Sequence, residues 1–279
     1  MTGDPIVLAL PPLAGRGSPL IDRDVISLIE VAAKVGFGGV SICTQHPYFG
    51  DVEDADAEAF FELLASVDLP VRTSEVIDID LWGAASPERI SAEARMLDLS
   101  ARAGAESVHV VALAPELPPI GRAATSVARV CDLAAERGLL VNLEPLPFTC
   151  VSDLAIALQL LEAADRDNLG LLLDTWHWFR APVGPDLELV RAIPPQRIHG
   201  LQLNDALELP PGADMPADSM NRLLPGEGVI DIREFMATLR GIGAAPLLMT
   251  EVFSDALCAL DPEENARRQY DAARAVLDG

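Results

Sequence analysis

The chain has 279 residues, 50% of them hydrophobic, and a formal net charge of −23. So much acid disfavours a phosphate backbone or an acidic membrane surface, both of which are gripped through Lys and Arg, so neither nucleic acid nor membrane is an expected partner. No apolar run approaches the roughly 20 residues that span a bilayer, and the opening MTGDPIVLAL lacks a basic leader, so a cytoplasmic location is expected.

Short runs that are apolar on both faces recur at residues 6–10, 40–43, 71–76, 107–111, 140–144, 169–174, 198–203 and 246–251. This is the pattern of a parallel sheet covered on both sides. Helical segments lie between them. Residues 87–103 follow Ser86 as N-cap, begin on Pro87 and stop at Gly104, as helix start and stop chemistry requires. Residues 122–137 place Val127, Val130, Cys131 and Ala134 at helical spacing before Gly138, a C-terminal stop. Residues 151–164 open on Ser152 or Asp153, and 262–277 follow Asp261 with Ala266, Tyr270 and Ala273 on one stripe.

Eight strands alternating with helices give the α/β class and a single (β/α)8 TIM barrel over residues 1–279. The rival, an open doubly wound sheet, wants a Gly-rich phosphate turn after the first strand, and PPLAGRGSP is a poor one. Cys43, Cys131, Cys150 and Cys258 form no CxxC pair and read as small core residues in a reducing compartment. The longest irregular stretch, 206–228, is rich in Pro and Gly and is expected to lie over the rim as a lid.

Four of the predicted strands end on an oxygen donor: Glu144 in LLVNLEP, Asp174 in LGLLLDTWH, Gln202 in IHGLQLND and Glu251 in APLLMTEVF. Convergent oxygens at one rim are what a hard divalent cation needs, and the C-terminal rim of such a barrel is where chemistry sits. Alternation along the strand places Asn142 on the face of Glu144, and puts His199 outside if Gln202 points in. His177 stands three residues after Asp174, where it can hydrogen-bond a substrate oxygen. Trp176 and Trp178 are candidates either for the pocket wall or for packing beneath it. His46, Glu75, Asp205 and Arg222 complete the substrate-side candidates; Asp205 reads equally as a cap of the turn that follows it. His109 reads as a buried hydrogen-bonding residue, and Glu227 as a partner of loop backbone.

The Glu ending strand five, DTWH after strand six, QLND at strand seven, LPGEGVID after the long loop, and Glu251 ending strand eight together resemble the xylose isomerase-like superfamily of sugar phosphate isomerases and epimerases. The resemblance is most specific from Val141 onward. It implies that Glu144, Asp174, Gln202 and Glu251 hold one Mn²⁺, Mg²⁺, Co²⁺ or Zn²⁺, with Glu144, Glu251 and His177 catalytic. Many members have His where this chain has Gln202; an all-oxygen set favours Mn²⁺ or Mg²⁺, and Gln there is similar to the family's dehydratases of cyclic keto-polyols. The implied activity is isomerisation or epimerisation of a sugar or keto-polyol through proton abstraction next to a carbonyl. The alternative is dehydration of a substrate such as 3-dehydroshikimate or an inosose. An apurinic endonuclease of the same superfamily is a remote alternative, opposed by the charge and by a total of 4 His. A homodimer formed through rim loops is a further expectation.

Overall fold

The computed structural model describes residues 3–14, 25–43, 54–82, 85–209 and 214–279. Its strands are β1 (Ile6–Ala9), β2 (Gly39–Cys43), β3 (Val71–Asp78), β4 (Ser107–Val111), β5 (Leu140–Leu143), β6 (Leu169–Asp174), β7 (Ile198–Leu203) and β8 (Leu247–Thr250). They pair in chain order, all parallel, and β8 returns to β1 to close a barrel. A closed sheet excludes the doubly wound alternative. Twelve helices occur among the described residues: α1 (Pro11–Ala14), α2 (Val25–Val35), α3 (Asp54–Ser66), α4 (Pro87–Arg102), α5 (Ile120–Ala135), α6 (Leu154–Ala164), α7 (Thr175–Arg180), α8 (Leu187–Ala192), α9 (Met215–Ser219), α10 (Ile232–Gly241), α11 (Asp255–Cys258) and α12 (Pro262–Asp278). None of them is long and apolar enough to cross a membrane.

The caps form where the sequence placed them. Ser86 accepts from the Arg89 N–H at the start of α4, Asp153 from Ile156 at α6, and Asp261 from Glu263 at α12. Each satisfies a donor that the first helical turn leaves free. The outward strand residues Ile6, Leu8, Val40, Ile42, Val108, Val110, Val141, Leu143, Leu171 and Leu173 join Val127, Val130, Phe235 and Ala273 of the helices in one apolar layer. Burying that layer is the main driving force for closure. Cys131 and Cys150 are buried thiols. Burial pushes the Cys131 thiol up to about 12, which leaves it without thiolate reactivity.

The barrel interior is divided. Val7, Leu172 and Met249 form a small apolar cluster of their own, whereas Thr73, Glu75, Ser107, His109, Asn142 and Gln202 bury polar groups. Asn142 donates to the Ser107 hydroxyl (3.0 Å) and its oxygen meets His199 Nδ1 (2.8 Å). His199 therefore faces inward, contrary to the alternation rule. The reason is a register shift: between Leu171↔Ile198 and Leu172↔Gly200, β6 advances one residue while β7 advances two. Such a bulge re-aims a side chain.

The His199 ring fills the space beside Gly170, where an added Cβ would lie 2.4 Å from the ring. Gly170→Ala should therefore destabilise the protein by about 1–3 kcal/mol through overpacking. Urea unfolding measures this, and an unchanged midpoint would mean the ring does not occupy that position.

Candidate active site

Glu144, Asp174, His177, Arg222 and Glu251 meet at the C-terminal rim, each less than a tenth exposed. Glu144 and Glu251 are the first residues beyond β5 and β8, and Asp174 is the last of β6. Asp174 has two tasks. Its Oδ1 caps α7 by accepting from the His177 N–H (2.8 Å), and its Oδ2 accepts from Arg222 Nη1 (3.0 Å) and Asn204 Nδ2 (2.6 Å). The cap turns the chain sharply out of β6, and this brings the imidazole back over the rim. His177 Nε2 then lies 3.3 Å from Glu144 Oε1 and 3.3 Å from Arg222 Nη2. Ligand-competent atoms of Glu144, Asp174 and His177 lie within 4.8 Å of one another.

Arg222 is the counter-charge. Its Nη1 bridges Asp174 Oδ2 and Glu251 Oε2 (3.1 Å), and its Nε donates to the Ser219 carbonyl (2.9 Å). Burial works against the guanidinium charge, but Asp174, Glu251 and Glu144 outweigh it and hold Arg222 above its usual value. Burial, followed by the negative charge of Glu75, pushes the Glu251 carboxyl well above the ordinary carboxylate range, against the pull of Arg222. These two shifts have one origin: several carboxylates share a dry pocket with one guanidinium.

The expected metal set is brought together in part. Asp174 and Gln202 are register partners on neighbouring strands. Gln202 Nε2 lies 3.4 Å from Glu75 Oε2, and its Oε1 has no hydrogen-bond partner among the described residues. An orphaned acceptor oxygen beside buried carboxylates suits a hard cation. His177 adds a ring nitrogen to the cluster, so the donor set at hand is not purely oxygen.

Three of the substrate-side candidates are engaged within the protein. Trp176 is fully buried and donates its indole N–H to Asp218 (3.0 Å), while its ring supports His177 edge-on at 5.3 Å and lies under Arg222. It is a floor beneath the site rather than a wall of it. Asp205 accepts from the backbone N–H groups of Ala206, Gly226, Gly228 and Ile230, at 2.8–3.0 Å. Its carboxylate ties down the loop and is not free for substrate. Glu75 lies within a strand that runs past residue 76 to Asp78. It lies inside the barrel, 3.3 Å from His109 Nδ1. Of the remaining candidates, Trp178 packs edge-on against Phe235 of α10, and His46 lies outside the described residues.

Asn204 was missed. It donates to Asp174 and to the Glu251 carbonyl (3.2 Å) and accepts from the Trp176 N–H (2.9 Å), joining the ends of β6, β7 and β8. The signal was present: Asn204 has the parity of Gln202 in QLND, and alternation points both to the same face. Phe148, half-exposed after β5, stands with its ring 6.3 Å from that of His177.

A family model described as a xylose isomerase-like TIM barrel matches residues 29–276. An inosose isomerase of Bacillus licheniformis is 28% identical over 153 residues, 54% of this chain and 53% of that protein. The chain thus spans about half the length of the inosose isomerases it matches. A 3-dehydroshikimate dehydratase of Pseudomonas aeruginosa is 29% identical over 258 residues, 89% of this chain and 39% of that protein. Among solved structures, the zinc-bound IolI protein superposes with a TM-score of 0.81 at 18% identity, covering 98% of both chains. D-allulose 3-epimerase from Methylomonas sp. gives 0.71 at 20% identity, again over 98% of each. At these identities the structural likeness shows the fold.

The loop clamp can be tested directly. An added Cβ at Gly228 would lie 2.3 Å from the Ala206 carbonyl and 2.4 Å from the Asp205 carboxylate. Asp205→Ala, which strands buried N–H donors, should cost about 3 kcal/mol. Thermal unfolding should show a drop of several degrees; an unchanged transition would mean that the 223–230 turn holds itself.

Proposed function

The chain belongs to the xylose isomerase-like TIM barrel family, and we propose that it is a divalent-metal-dependent isomerase or epimerase of a free keto-sugar or keto-polyol. The observation carrying this reading is the burial of Glu144, Asp174 and Glu251 in one pocket at the C-terminal rim. Carboxylates buried together call for cationic compensation, and one guanidinium falls short of balancing them. Glu144 and Asp174 would hold the cation, with Glu251 and the Gln202 oxygen completing an oxygen-rich set and His177 in the same cluster. Such a set suits Mn²⁺, and the ring nitrogen of His177 also admits Co²⁺ or Zn²⁺. When bound, a divalent ion there polarises a carbonyl and stabilises negative charge on its oxygen.

The residues supply the proton chemistry. Glu144 and Glu251 leave strands separated by β6 and β7, so they approach a bound substrate from different sides. One carboxylate removes the proton from the carbon next to the carbonyl. Return of a proton by the other on the opposite face inverts that centre; return at the neighbouring carbon isomerises ketose and aldose. His177 hydrogen-bonds the substrate oxygen, and Arg222 neutralises charge across the pocket.

A second reading, dehydration of a cyclic keto-polyol, draws support from the 3-dehydroshikimate dehydratase match, which extends over 89% of this chain. In that case a β-hydroxyl departs after the same proton abstraction, with His177 as its acid. Both readings take a small polyol as substrate, and the net charge of −23 disfavours a phosphorylated one or DNA.

Glu144→Gln and Glu251→Gln should abolish exchange of substrate protons with deuterated water, followed by NMR with Mn²⁺ and a panel of ketoses and keto-polyols, while thermal unfolding remains near that of the parent protein. Exchange at the parent rate in both variants rules out the two-glutamate scheme. The raised Glu251 value means that the metal-free carboxyl retains a proton where a free Glu has lost it. A cation favours the ionised form, so Mn²⁺ loading in the pH range where the metal-free carboxyl is still protonated should release protons, and affinity should rise with pH. Calorimetry in buffers of different ionisation enthalpy measures this; heats independent of buffer would place Glu251 outside the ligand set.

A further inference from the structure

Beneath the rim lies a second polar cluster to which the proton chemistry assigns no part. Glu75 of β3, His109 of β4 and Gln202 of β7 are 2%, 0% and 0% exposed. Glu75 Oε2 is the shared acceptor: His109 Nδ1 lies 3.3 Å from it and Gln202 Nε2 3.4 Å. Two donors meeting on one oxygen determine the orientation of both. A carboxylate only accepts, so the end of the Gln202 amide that faces it must be the NH₂. The other end is then the oxygen, and Gln202 Oε1, like Glu75 Oε1 and His109 Nε2 in the same cluster, has no hydrogen-bond partner among the described residues.

A glutamine left to itself presents either end of its amide, because oxygen and nitrogen differ little in size and the terminal torsion is broad. A cation accepts only the oxygen. Resting on the metal reading above, we propose that Glu75, itself held by His109, is a positioning residue: it fixes the Gln202 amide so that the oxygen, not the NH₂, is offered to the cation. The position of Glu75 fits this task. It falls at an irregularity of β3, where the pairing with β4 shifts between Ser74↔Val108 and Ile77↔Val110, and a bulge of this kind re-aims a side chain. Outer partners of metal ligands change metal affinity about 10–100-fold when removed.

The test measures Mn²⁺ binding by calorimetry and by the EPR signal of free Mn²⁺, with no substrate present. Glu75→Gln, whose amide both donates and accepts, lets Gln202 turn over and should weaken Mn²⁺ about tenfold or more. Glu75→Asp keeps the charge but withdraws the oxygen from reach, and it should weaken Mn²⁺ as well. This separates orientation from simple loss of a negative charge: parent-like affinity in Glu75→Asp overturns the proposal, as does parent-like affinity in Glu75→Gln. Unfolding in the presence of a chelator should be parent-like for both. Should either fail to fold, His109→Gln removes the second donor to Glu75 and is predicted to weaken Mn²⁺ severalfold; unchanged binding there overturns the proposal. Gln202→Ala separates the two levels of inference. If it binds Mn²⁺ like the parent, Gln202 is not a ligand and the metal assignment fails with the proposal. If it weakens binding while the Glu75 variants do not, only the positioning role fails. A parent protein that binds no Mn²⁺ overturns both.

Discussion

Burying several carboxylates in one pocket is the constraint around which the upper half of this barrel is built. Charges removed from water must find compensation close by, because the protein interior screens them poorly. Arg222 provides it by joining Asp174 to Glu251 through a single nitrogen, with Glu144 reached through His177. Arg222 comes from the loop after β7, so the loop and the carboxylates hold one another in place. A bound cation would add to this compensation, which is why the same geometry serves stability and chemistry.

Support for that pocket comes from polar groups that are engaged with the protein around them. Asn204 uses both ends of its amide to join the ends of three strands. Asp205, the next residue, points to the other side and gathers four backbone N–H groups of the loop that carries Arg222. Trp176 props His177 and Arg222 from below while Asp218 takes its N–H. A site held by rigid, satisfied neighbours is preorganised, and proton transfer at carbon depends on that.

A gradient of polarity runs through the barrel. Its interior is apolar around Val7, Leu172 and Met249, and polar around Ser107, His109 and Asn142. The polar side reaches the rim through Glu75 and Gln202. An interior of this composition costs stability relative to stacked aliphatic layers, so its polar groups must be paired. Where they are not, as at Gln202 Oε1, a ligand is the natural explanation.

The chain alone determined the architecture and the places of the rim donors. Eight short apolar runs separated by capped helices admit little besides a closed parallel sheet, and Glu144, Asp174 and Glu251 stand at strand ends because that is where the runs stop. What the chain could not show was direction. Period-two alternation assigns a face only while strands pair without slipping, and the shift in β7 turned His199 inward, while the irregular β3 runs on past Glu75 to Asp78. Nor does spacing along a sequence tell a substrate contact from a buried support: Trp176 and Asp205 sit beside the signature residues, yet their polar atoms are committed to Asp218 and to loop backbone. Those choices depend on which donors lie within 3 Å or so in three dimensions, and only the closed barrel with its returning loop brings those groups together.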